Sequence, residues 1–103
     1  MSDLDFVVDA IKKTLKPEKI ILFGSYARGD NKSGSDFDLA VLKKTPRKNG
    51  EVAEVLTYLY RNGYEWDVSP DIHLFSTDDF NTRLKNNSLF IREIMKGKII
   101  YAV

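Results

Sequence analysis

Two aspartates one residue apart, Asp36 and Asp38, open the alternating stretch Asp36-Phe37-Asp38-Leu39-Ala40-Val41-Leu42. In an extended strand, alternate residues lie roughly 6.5–7 Å apart at Cα and project from one face. Two carboxylates so placed repel each other unless a cation stands between them. An all-oxygen donor set suits Mg²⁺, with Mn²⁺ as the alternative, rather than zinc. A third carboxylate on a neighbouring strand would complete a site for two such ions, which together activate an attacking oxygen and steady a leaving phosphate. Asp71 is the leading candidate, because it opens a second alternating stretch, Asp71-Ile72-His73-Leu74-Phe75; Asp67, four residues earlier, is the alternative. The two differ by an even number of residues, so alternation does not choose between them. His73 shares the face of Asp71 and borders the same site. Ring nitrogens are less natural Mg²⁺ ligands than oxygens, so a packing or solvent-facing histidine is the commoner outcome.

Upstream of the acids, the apolar run Ile20-Ile21-Leu22-Phe23 stops at Gly24-Ser25. Gly24 has no side chain, so a phosphate can approach its backbone closely. Ser25 stands where a helix N-cap would be, ahead of Tyr26-Ala27-Arg28, and helix-start N–H groups favour an anion. Arg28 can add a charge-assisted contact or brace the loop through Asp30 or Asp36. Gly24 to Gly29 also matches the GxxxxG frame of a P-loop, but Asp30-Asn31 stands where Lys and Ser or Thr are required, so that reading fails. A phosphate cradle beside a carboxylate pair suits transfer of a nucleotidyl group from a nucleoside triphosphate.

The elements that must position these residues read as follows. Ser2 to Lys16 is an amphipathic helix with Leu4, Val8, Ile11 and Leu15 on one face, capped by Ser2 and ended by Pro17. Lys19 to Phe23 is a strand, continuously apolar and therefore central and covered on both faces. Gly29 to Ser35 is a loop, and Asp36 to Leu42 is the second strand. Lys43 to Gly50, KKTPRKNG, is a basic and solvated connection. Glu51 to Asn62 is a helix stopped by Gly63. The third strand is Asp71 to Phe75, and Ser76 to Asp79 is a capping box that starts another helix. Ser88 to Lys96 is a last helix, and Lys98 to Ala102 adds a short edge strand. The pattern α-β-α-β-α-β-α-α predicts an α/β (α+β) fold, a small mixed sheet flanked by helices.

With 103 residues the expectation is one domain spanning residues 1–103. The net charge of +1 creates no field drawing the chain to nucleic acid or a membrane surface. The absence of cysteine excludes disulfides and thiolate metal sites, and suits a cytoplasmic protein. Acids near the N-terminus, in MSDLDFVVDAIKK, argue against a secretory leader, and no run is long enough to span a membrane.

The stretch IILFGSYARG, the ten-residue spacer Tyr26 to Ser35, and SDFDLAVL together resemble the minimal nucleotidyltransferases of the DNA polymerase β-like superfamily. PDIHLFSTDDF, Pro70 to Phe80, resembles the family's third-acid strand, and SLFIREIMKGKIIYA, Ser88 to Ala102, its C-terminal helix and strand. The resemblance implies Asp36, Asp38 and Asp71 as ligands of two Mg²⁺ ions and as the catalytic acids. It implies Gly24 and Ser25 holding the triphosphate, with Arg28 beside them, and ATP as substrate. Small members of the family resemble antitoxins paired with all-helical HEPN toxins. The expectation is therefore AMP transfer to such a protein partner. A second reading keeps the fold as a non-catalytic module that neutralises the partner by binding. Addition of nucleotides to RNA ends is weaker, because the Lys43–Lys48 loop is a small basic patch for that task.

Overall fold

A computed structural model describes residues 1–103. The first helix, α1 (Asp3–Leu15), starts where Ser2 Oγ accepts the Asp5 N–H at 3.1 Å. It stops at Lys16, whose left-handed backbone precedes Pro17. The chain continues through β1 (Lys19–Phe23), α2 (Gly24–Arg28), β2 (Phe37–Lys43), α3 (Glu51–Arg61) and β3 (Pro70–Ser76), and then α4 (Thr77–Lys85), α5 (Leu89–Met95) and β4 (Lys98–Ala102). Ser76 and Ser88 cap α4 and α5 by accepting the N–H groups of Asp79 and Ile91. No helix is long and apolar enough to cross a membrane.

The four strands form one mixed sheet in the order β3-β2-β1-β4. β1 runs antiparallel to β2 and β4, whereas β2 and β3 are parallel. Strand alternation divides the core in two. On one face, Ile20, Leu22, Phe37, Leu39 and Val41 meet Val7 and Ile11 of α1 and Val55 and Leu59 of α3. On the other, Ile21, Phe23, Ala40 and Leu42 meet Phe80 of α4 and Ile91 and Ile94 of α5. Each fully buried Ile or Leu is worth about 1.5–3 kcal/mol relative to exposure. The continuous apolar run of β1 is explained by this double coverage, and the sheet flanked by helices is the expected class.

Most elements shift by a residue at an end, and both ends of β2 differ in a way that bears on the site. β2 begins at Phe37, because the parallel pairing begins at Phe37 opposite Pro70; Asp36 lies just outside the ladder. At its other end β2 runs on through Lys43, which belongs to no solvated loop. Lys43 is buried, and its Nζ donates to Glu51 at the start of α3. The long aliphatic stem lets the lysine continue the strand while its charge reaches a partner.

Candidate active site

The sheet registers build the site. Antiparallel pairing sets Phe23 opposite Asp38, so the turn at Gly24 leaves β1 beside the first acid of β2. Parallel pairing sets Asp38 opposite Asp71, the second residue of β3. On the two strands these acids point to the same face, and His73 follows on that face. One ligand atom from each of Asp38, Asp71 and His73 lies within 4.8 Å of the others. His73 Nε2 is 3.2 Å from Asp71 Oδ2.

Burial raises the Asp38 carboxyl above the ordinary aspartate range, and the facing Asp71 and nearby Asp36 carboxylates push the same way; His73 acts in the opposite sense. The negative charge on Asp38 is therefore held at a cost in the free protein. A divalent cation placed among these oxygens would offset it, so the donor set fits such an ion.

Asp36 is exposed, one residue ahead of the strand, and lies outside the convergent group of ligand atoms. Its charge adds to the rise at Asp38, behind burial and Asp71. Asp67 is exposed in the loop before β3, where its charge bears on the Tyr64 hydroxyl, which burial above all pushes up to about 12. Asp71, not Asp67, stands in register with Asp38.

Gly24 is half-buried with φ +73°, and a Cβ built there would overlap Asp38 Oδ2. The glycine is thus required twice, for its left-handed backbone and for the room it leaves the carboxylate. Ser25 is not the N-cap of α2. That position is Phe23, without a side-chain cap, because the strand bends into helix already at Gly24. Ser25 is instead the second residue of α2, and its carbonyl accepts the N–H groups of Gly29 and Asp30, tying the turn closed. Arg28 is exposed and braces the loop, its Nε 3.1 Å from Asp30 Oδ2. Tyr26 anchors α2 by packing its ring 4.8 Å from that of Phe37.

His73 does more than pack. Its ring lies 5.6 Å from Phe23 and 5.1 Å from Phe90, while its nitrogen faces the acids. The Asp71-x-His73 alternation is the signal that carries this. Beside it runs a groove of about 510 Å³, walled by Pro46, Arg47, Phe75, Arg83 and Phe90. The basic loop therefore contributes to the surroundings of the site.

The mixed sheet sets a glycine turn against one strand-borne acid, with a second acid in register beside it, an arrangement that fits a nucleotidyltransferase. A family model described as polymerase beta, nucleotidyltransferase matches residues 5–103, and the chain belongs to that family. It is 37% identical over 60 residues to the putative protein adenylyltransferase MJ0141 of Methanocaldococcus jannaschii. That match takes in 56% of this chain and 61% of the relative, so the chain spans about three-fifths of the length of the curated relative it matches. Among solved structures, a toxin–antitoxin with AMP-PNP superposes with a TM-score of 0.64 at 22% identity, covering 100% of this chain and 75% of the other. A mutant of the toxin–antitoxin MntA-HpeT gives a TM-score of 0.61 at 18% identity, again over 100% of this chain and 75% of the other. These likenesses carry the fold.

Proposed function

We propose that this chain is a metal-dependent nucleotidyltransferase that moves AMP from ATP onto a hydroxyl of a partner protein. The partner we infer is a small helical HEPN-type toxin, neutralised by the modification, and residues 1–103 act as one domain. The observation that carries the reading is the pairing of Asp38 with Asp71 directly against Gly24. Family membership supports nucleotidyl transfer. The adenylyl group and the toxin partner are supported by the names of the similar proteins.

In this reading Asp36, Asp38 and Asp71 hold two Mg²⁺ ions, or Mn²⁺. Bound there, the ions lower the charge barrier to attack on a phosphate. Gly24 and Ser25 hold the triphosphate, with Arg28 keeping the turn in shape through Asp30. The acceptor oxygen forms a bond to the α-phosphorus as the bond to the bridging β-phosphate oxygen breaks. Pyrophosphate leaves with that electron pair, and the hydroxyl proton passes to Asp71. Asp71 is exposed, so an acceptor can reach it.

The test is incubation of the full chain with α-labelled ATP, Mg²⁺ and the protein encoded by its genomic neighbour. Label should appear on that neighbour. Asp38→Asn should lower transfer by at least about 100-fold, the scale on which loss of one electrostatic catalytic group acts. A tight complex with no label would overturn the enzyme and leave the non-catalytic binding module.

A further inference from the structure

Three donors converge at the mouth of the sheet, and one of them is not an oxygen. We propose that His73 is itself a metal ligand, through Nε2, and that the site accordingly prefers Mn²⁺ over Mg²⁺. The inference rests on the metal dependence proposed above and deepens it by naming the ion and an additional ligand.

Three observations carry it. First, the ligand atoms of Asp38, Asp71 and His73 lie mutually within 4.8 Å, a group that excludes Asp36. The preformed donors are therefore two carboxylates and one imidazole, rather than three carboxylates. Second, the ring is held on two sides. Phe23 of β1 and Phe90 of α5 pack against it at 5.6 and 5.1 Å, and against each other at 5.8 Å. With the ring so held, Nε2 meets the half-exposed Asp71 carboxylate rather than a buried backbone group. Third, the side chain of His73 is 31% exposed and that of Asp71 52%, so an ion can reach both without any rearrangement of the core.

The chemistry of the donors then decides between ions. Mg²⁺ takes oxygen ligands and keeps much of its water, so a nitrogen adds little to its binding. Imidazole suits first-row transition ions, and carboxylate and water suit Mn²⁺ as well as Mg²⁺. A mixed nitrogen and oxygen set therefore tilts the balance towards Mn²⁺.

The chain contains one histidine, so ¹⁵N-histidine labelling reports on His73 alone. Mn²⁺ is added as the chloride to the full chain, and nitrogen coupling to the ion is read by pulsed electron paramagnetic resonance. The expected result is a ¹⁴N modulation that changes to the ¹⁵N pattern on labelling. In a parallel titration, the ratio of Mg²⁺ to Mn²⁺ dissociation constants should fall by about tenfold or more in His73→Phe, since even loss of a group that only orients a ligand costs 10–100-fold. Phenylalanine keeps an aromatic ring between Phe23 and Phe90 and removes both nitrogens. Should that variant fail to fold, the labelling of the unaltered chain still decides. Mn²⁺ bound in an Asp38-dependent manner without histidine coupling would overturn this inference and leave the metal-dependent reading standing. Absence of any Asp38-dependent Mn²⁺ or Mg²⁺ binding, with or without ATP, would overturn both.

Discussion

Asp38 lies between a glycine that leaves no room for a side chain and an acid that repels it. Burial and Asp71 both disfavour its charged form, so the free protein carries a local penalty at neutral pH. Replacing the carboxylate by a neutral amide removes that penalty. Asp38→Asn should therefore melt at a higher temperature than the unaltered chain in chelator. The unaltered chain should gain stability when MnCl₂ is added, and Asp38→Asn should not. Thermal melts with and without the ion check both, and a lower melting temperature for Asp38→Asn in chelator would contradict the electrostatic account. At this scale the Asp-x-Asp and Gly-Ser signals were legible, because both depend on local spacing. The approach of His73 was half legible. Alternation puts it on the face of Asp71, but its ring is oriented by Phe23 and Phe90, which are distant in sequence.

The elements were legible wherever a cap or a period marks them, as at Ser2 and Ser76. They were less so where a long charged side chain sits at a strand end. Lys43 reads as the first residue of a basic loop, yet it ends β2, and Glu51 receives both its ammonium and the Lys48 N–H. Burial works against ionisation of Glu51, but these hydrogen bonds outweigh it and hold its carboxyl below the ordinary glutamate range. A carboxyl lowered in the folded state contributes stability above its unfolded pKa of about 4.3 and loses it as the pH falls through the folded value. Melting temperature should accordingly fall below about pH 4.3 in the unaltered chain. Glu51→Gln should start lower at pH 7 and fall less steeply over that acid range. A pH series of circular-dichroism melts reads the difference, and parallel curves would show that the contact between β2 and α3 contributes nothing.

For the whole molecule, one sheet separates two apolar clusters, with Leu59 at the heart of one and Ile94 in the other. Both residues are fully buried, so Leu59→Ala and Ile94→Ala should each cost about 2–5 kcal/mol. Because β1 and β2 contribute to both clusters, the loss should appear as one cooperative transition. Trp66 fluorescence and far-ultraviolet circular dichroism should shift together in each variant; separated transitions would contradict a single folding unit. The sequence by itself determined the helix caps at Ser2 and Ser76, the inward faces of the strands and the covered position of β1, and it put Gly24 and Asp38 forward as candidates, since each follows from spacing within a few residues. Only the tertiary structure decided that Asp71 rather than Asp67 faces Asp38, that Asp36 stands outside the convergent group, and that His73 turns a nitrogen to the acids. The physical reason is register. Strand periodicity tells which face a residue occupies, and it is the same for every even shift. The hydrogen-bonded pairing of β2 with β3, stabilised by packing on both faces of the sheet, selects which residue on that face meets its partner.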